Sequence, residues 1–355
     1  MMPYELNEEF LAKLVTTPRA TGYEFPAQRV IKSYLENDVD KVKSDRVGNL
    51  YAIINPANPF KIMLAGHIDQ IGFQISHVDD DGFLWILPLG GFDTTTLPGK
   101  RVFVITKSGQ YKGVIGKKAI HLMKTEERKK APEMDKLYID IGCKDKEEAS
   151  KKVDVGDFAV FDYGYERLGD NKYAVAAGFD DAIGSFIVAE IMRELAKDKS
   201  FYAGVYGVST VQEEIGMRGA HVAAKSINPD LGIAFDVEHT ADAPEMEKKR
   251  IGDTKLGGGP IISIGPNLNP VVVKGLIEIA EKNEINYQKN AAPRGTGTDA
   301  NAIQLSGAAT GLVGIPNRYM HTASEVISLE DIENIVKLVV AFIYSIKEGD
   351  TFLPI

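Results

Sequence analysis

An interruption constrains this chain more than any other feature. Strand and helix patterns alternate along most of it, but from Ile71 to Glu166 the character changes to short alternating runs rich in Gly and Asp. The runs are FLWILPL, RVFVITKSGQYKGVIG, KLYIDIG and DFAVFDY. SGQ between two apolar stretches signals a hairpin, and several short strands at this spacing predict a small β-barrel or sandwich. One helix-like piece, KDKEEASKK (144–152), falls within it.

On both sides of this segment the pattern is α/β. ELNEEFLAKLV (5–15) and PAQRVIKSYLEN (26–37) have helical spacing, and NLYAIIN (49–55) and KIMLAGH (61–67) read as strands. After Lys172, DDAIGSFIVAEIMRELAK (180–197) is a long helix, followed by FYAGVYGVSTV (201–211), LGIAFDV (231–237) and AATGLVGI (308–315) as strands with helices between them. A final helix is expected over 328–347, with Ser328 and Asp331 resembling a capping box. Alternation of this kind predicts a mixed, mostly parallel sheet flanked by helices. Residues 1–70 and 167–355 would form that domain, and 71–166 a β-rich insertion.

Composition limits the partners. The chain has 355 residues, 44% hydrophobic and 26% charged, enough for a substantial buried core. Net charge is -9 and no stretch is long and basic, which argues against nucleic acid and anionic membrane. The most apolar run, IVKLVVAFIYSI (335–346), is too short to cross a bilayer. The opening MMPYELNEEF lacks the basic-then-apolar pattern of a signal peptide. The single cysteine, Cys143, excludes an internal disulfide and fits a reducing, cytoplasmic setting.

Chemistry concentrates where strands end. His67 and Asp69 follow KIMLAG; Asp180 and Asp181 open a helix; Glu213 and Glu214 follow GVYGVSTV. Asp236 ends LGIAFD, and His321 lies in NRYMHTASE after another strand. Open α/β sheets carry their sites outside the carboxyl ends of their strands. Taken singly, each residue has a plain alternative: a helix-opening Asp is commonly an N-cap, and a loop His is commonly solvated. Together, so many carboxylates would repel one another unless cations lay between them. Two His with Asp and Glu oxygens and no thiolate form a donor set suited to Zn, Co or Mn, and paired metals recur in hydrolytic sites.

GHIDQIG (66–72), AAGFDDAIG (176–184), VQEEIGMRGA (211–220), AFDVEHT (234–240), GTDANAIQ (297–304) and YMHTASE (319–325) occur in the order of the M42 metallo-aminopeptidases, which this chain resembles over nearly its whole length. The family includes glutamyl aminopeptidases and TET peptidases, and some members are labelled endoglucanase M. The resemblance implies a zinc-peptidase-like catalytic domain with an inserted dimerisation domain, two divalent ions per subunit, short peptides as substrate and assembly to a homo-oligomer, often a dodecamer. Carried over by motif, His67, Asp180 and Asp236 would bind one metal, and Asp180, Glu214 and His321 the second. Glu213 would be general base toward a metal-bridging water, and Asp69 would orient His67. Adjacent side chains on an extended strand diverge, so Glu213 and Glu214 can serve two tasks.

The chain departs from the family at Gln70, where members often have Glu, and in PRGTGTDAN, where Arg294 and Asn301 are unusual. Arg294, Asp299 and His121 are candidates for substrate contact, His121 by reaching a partner subunit from a basic loop. Of the other histidines, His77 is expected at the surface, His221 in a packing role and His239 in support of Asp236. Two other functions stay open: a glycoside hydrolase of endo-1,4-glucanase type, which needs two carboxylates facing each other across a sugar, and a non-catalytic oligomeric binding protein.

Overall fold

The computed structural model describes residues 4–355. Two β-structures organise them: an eleven-stranded mixed sheet and a closed six-stranded barrel. The centre of the large sheet is parallel. Gly204–Thr210, Lys61–His67, Leu231–His239 and Ala309–Arg318 lie side by side in that order. Ile62–His67 and Leu231–Val237 are buried throughout, as strands must be when helices cover both faces. Antiparallel strands extend both margins, Leu50–Ile54 and Lys41–Ser44 on one side, Glu325–Ser328, Tyr173–Ala176 and Glu166–Leu168 on the other. The parallel character thus belongs to the strands joined through helical crossovers.

Register aligns the carboxyl ends of the central strands. Thr210 pairs with His67, and Asp236 with Gly314. The residues just beyond each strand therefore emerge along one edge. The helix Phe179–Lys197 crosses behind them, buried continuously from Phe179 to Met192. It can lie so close because of two glycines. A Cβ on Gly66 would sit 2.3 Å from the Gly184 carbonyl carbon. Ser185 Oγ donates to the Gly66 carbonyl at 2.8 Å and holds that contact. The start of this helix is therefore placed against the end of the Lys61–His67 strand by backbone.

The barrel is built from Gly72–Val78, Leu84–Leu89, Arg101–Thr106, Gly109–Gly116, Tyr138–Asp140 and Phe158–Phe161. It leaves the large sheet after His67 and starts at Gly72, and the SGQ turn joins two of its paired strands. Its core of Phe73, Ile86, Val102, Val104 and Ile139 is separate from the core of the large sheet. Closure leaves it no free sheet edge.

Two expectations of detail are corrected. Ser328 does begin the helix Leu329–Ser345, but its side chain makes no capping bond. Asp331 instead accepts from the backbone N–H of Gly257 and of the buried Gly259, at 2.8 and 2.7 Å, and so satisfies a donor that water cannot reach. His221 is exposed. The buried face of its helix is Gly219, Ala220, Ala223, Ala224 and Ile227, and position 221 points away from that stripe. Among the described residues no helix is long and apolar enough to cross a membrane.

Candidate metal centre

The strand-end residues converge as two triads. His67, Asp180 and Asp236 each offer a ligand atom, and these atoms all lie within 4.8 Å of one another; the same is true of Asp180, Glu214 and His321. Asp180 belongs to both. Its Oδ1 is 3.2 Å from His67 Nε2 and its Oδ2 is 3.0 Å from His321 Nε2. Glu213 belongs to neither triad; its carboxylate is 3.8 Å from His67 Nε2, whereas that of Glu214 is 3.6 Å from His321 Nε2. The two neighbouring glutamates thus face different imidazoles.

A layer of hydrogen bonds fixes these positions. His67 Nδ1 lies 3.0 Å from the Asp69 carbonyl oxygen, an acceptor only, so Nδ1 carries a proton and Nε2 is the nitrogen turned toward the cluster. The Asp69 carboxylate is farther from the ring, at 3.6 Å. It accepts instead from the backbone N–H of Glu213 and Glu214, at 3.0 and 3.3 Å, and from the Thr21 hydroxyl at 2.9 Å. Asp69 therefore orients His67 mainly through its main chain, while its side chain holds the two-glutamate turn. Asp181 takes the capping role: its carboxylate accepts from His67 N at 3.1 Å and Gly184 N at 2.9 Å. The peptide between Asp180 and Asp181 is cis.

Glu325 was not singled out from the sequence, although it closes the YMHTASE motif. It is buried and accepts from Asp180 N and from Asn317 Nδ2, both at 2.9 Å. The acidic last residue of that motif, at the start of a β-branched strand, was the available signal. The barrel also reaches the site. A Cβ on Gly90 would lie 3.1 Å from Glu214 Oε2, and one on Gly91 would lie 3.6 Å from His321 Nδ1.

The three residues suggested for substrate contact lie elsewhere. Asp299 is fully buried and accepts from the Thr210 hydroxyl at the end of a central strand, so it backs the site and does not face a substrate. Arg294 is exposed on the loop before the helix Asp299–Gln304. His121 is exposed on the turn Ile120–Leu122 of the barrel, and no hydrogen bond or ion pair among the described residues links either one to the cluster. His239 is exposed at the end of the strand that carries Asp236, and His77 is exposed on the barrel. Gln70 is buried beside Arg19 and Gly178; a Cβ on Gly178 would meet both side chains. Arg19, also buried, donates to the Gly178 carbonyl.

Electrostatics shows how acidic the cluster is. Burial, then neighbouring charges, raises Glu213 to about 7 and Glu214 to about 8, and holds Asp236 well above the usual carboxylate range. Glu325 rises to about 8 for the same reasons. Burial also opposes ionisation of Asp180, but the His321 and His67 imidazoles outweigh it and hold that carboxyl low. Hydrogen bonding to Asp180 lifts His321 to about 9. Glu214 Oε1 is buried with no hydrogen-bond partner. Carboxylate oxygens, two imidazoles, an orphaned acceptor and no thiolate fit divalent ions of the Zn, Co or Mn type.

Two adjacent clusters that share one carboxylate, with a further glutamate beside them, are an arrangement that could hold paired cations, as many hydrolytic sites do. Comparison with known proteins narrows this further. The family model described as M42 glutamyl aminopeptidase matches residues 48–338, and the chain belongs to that family. It is similar to a lysyl aminopeptidase of Pyrococcus furiosus, 35% identical over 351 residues that cover 98% of this chain and 99% of the relative. Among solved structures, a TET aminopeptidase from a marine sediment Thaumarchaeota archaeon superposes with a TM-score of 0.92 at 31% identity, covering 96% of each chain. The TET1 peptidase of Pyrococcus horikoshii, described as assembling into a tetrahedron or a large octahedral shell, gives 0.86 at 32% identity over 96% of this chain and 99% of its own. The chain is a peptide hydrolase of the aminopeptidase type.

Proposed function

We propose that this protein removes N-terminal residues from short peptides in a reaction that depends on two divalent ions. The observation that carries the reading is the pair of triads sharing Asp180, with Glu213 uncommitted beside them. His67, Asp180 and Asp236 would hold one ion, and Asp180, Glu214 and His321 the other. Zn or Co fits the donor set best, with Mn as a further candidate, and such ions would polarise the scissile carbonyl and acidify water. Glu213 is the general base: its carboxylate accepts the proton of the attacking water and returns it to the leaving amine. Asp69 keeps Glu213 and Glu214 in their separate orientations through the main-chain bonds described above. A site this acidic favours a cationic peptide N-terminus over an interior segment, which accounts for exopeptidase action.

Glycoside hydrolysis is disfavoured, because Glu213 and Glu214 face two imidazoles and not each other. Intact Glu213 and the complete set of candidate ligands likewise argue against a purely binding role. The barrel serves as a dimerisation domain, and dimers assemble further to a dodecamer of the kind the TET relatives suggest. The exposed Ile120 and Leu122 beside His121 give its long loop the apolar surface of a subunit contact. A cytoplasmic setting fits the single free Cys143.

Exhaustive chelation followed by an aminoacyl-p-nitroanilide assay tests the reading. Hydrolysis should vanish and return with Zn or Co. Full activity after verified metal removal would defeat it.

A further inference from the structure

The loop 319–324, which carries His321, makes few hydrogen bonds within itself. Tyr319 and His321 are both left-handed, with φ of 66° and 60°. Inside the loop the Thr322 hydroxyl makes the local bonds, donating to Tyr319 O at 2.7 Å and accepting from Ser324 N at 3.2 Å. A segment of non-glycine residues in this conformation persists only if its surroundings impose it. Ala323 is buried in the barrel core and Met320 packs against the core of the large sheet, and further restraints act at the two ends of the loop. At one end stands Glu325, bonded to Asp180 N and Asn317. At the other stands Arg318, whose Nε donates to Asp242 Oδ1 at 3.0 Å and whose Nη2 donates to Oδ2 at 2.5 Å.

Asp242 is itself anchored, accepting from Leu256 N at 3.1 Å. It follows the strand Leu231–His239, which carries Asp236. The Arg318–Asp242 fork therefore adds a side-chain tie, beside the main-chain pairing of His239 with Asn317, between the base of the His321 loop and the segment following the Asp236 strand. We propose that this ion pair is a positioning pair that sets how tightly the Glu214–His321 half of the site holds its cation. The proposal rests on the two-ion reading above. The pair is about a quarter exposed, with side chains 25% and 23% accessible, so its Coulomb energy in isolation is modest. Its value lies in the fixed bidentate geometry, which lysine cannot reproduce. Arg318→Lys breaks the fork and keeps both charges, so in that variant the position of His321 changes and the charge of the cluster does not.

Co²⁺ titration of the metal-free full-length protein, followed by its visible absorption, tests this directly. Wild type should take up two equivalents. Arg318→Lys and Asp242→Asn should keep the first and weaken the second by about 10- to 100-fold. The exchange Asp242→Arg/Arg318→Asp should recover part of the loss, which a general packing defect would not permit. The thermal midpoint of each metal-free variant reports folding separately, and Arg318→Lys is the variant least able to disturb it. Two equivalents in wild type with unchanged second affinity in folded Arg318→Lys and Asp242→Asn would overturn the role of the pair alone. Fewer than two equivalents in wild type would overturn the two-ion reading, and the proposal with it.

Discussion

The two halves of the site share Asp180 but are built to different standards. His67 and Asp236 stand on adjacent parallel strands whose main chains are bonded to each other, and His67 is 2% accessible. His321 comes from a short loop between two strands, and its side chain is 36% accessible. One half is part of the sheet; the other is attached to it. A ligand on a buried strand cannot move without the core, whereas a ligand on a surface loop can. The buried half should therefore retain its ion, and the outer half should exchange it.

The shared carboxylate gives the largest expected effect. Asp180→Asn should remove both ions and reduce hydrolysis to background, measured by elemental analysis beside the p-nitroanilide assay. Retention of one full ion would mean that the halves do not depend on a common ligand. Next comes Glu213→Gln. Turnover should fall by about 10²- to 10⁴-fold while both ions stay bound. Loss of metal in this variant would make Glu213 a ligand and not the base.

A direct contrast follows from the two histidines. His321→Ala should lose one ion of two and leave the metal-free thermal midpoint nearly unchanged, since its ring is partly in solvent. His67→Ala should lose its ion and also lower that midpoint, because a buried ring and its bond to Asp69 are removed. Equal midpoints for the two variants would erase the structural distinction between the halves.

The smallest effect is on the pH dependence of the metal-free protein. Glu213, Glu214, Glu325 and Asp299 have folded-state values of about 7, 8, 8 and 6, all above those of an unfolded chain. Between about pH 4 and pH 8 the unfolded chain sheds these protons first, so stability falls as pH rises through that window. His321, raised to about 9, contributes stability that is lost in the same direction, between about pH 6.5 and pH 9. Asp180 is depressed, so its contribution is lost only in acid, below the ordinary carboxylate range. Calorimetry should show the metal-free midpoint dropping by several degrees from pH 6 to pH 9, with bound Zn flattening the slope. A midpoint that rises over this range would show that burial and neighbouring charge do not hold these carboxyls above their unfolded values.

Much of this arrangement was legible because it follows periodicity and strand ends. The alternation marked the central strands, and the break at Ile71 marked the barrel. Strand register then delivers His67, Asp236 and the residues after Thr210 to one edge. What could not be read are the bonds between distant segments. Glu325 matters because it holds Asp180 N, 145 residues away. Asp69 has a conspicuous place two residues after His67, yet its carboxylate serves Glu213, Glu214 and Thr21. Asp331 sits where a capping box would place it but answers donors in another loop. Asp299 is acidic, near a motif and buried behind a strand, so its residue type alone suggested a substrate contact that its position excludes. Side-chain type and spacing predict which edge a residue reaches; the nearest unsatisfied donor decides what it does there.

The central claim is that Asp180 joins two cation subsites of unequal burial while Glu213 remains free. Anomalous diffraction from crystals of the Zn-loaded protein, recorded above and below the Zn absorption edge, tests it most directly. Two peaks are predicted, one among His67, Asp180 and Asp236 and one among Asp180, Glu214 and His321, with the outer peak weakening first under brief chelation. A single peak, or a peak coordinated by Glu213, would contradict the account.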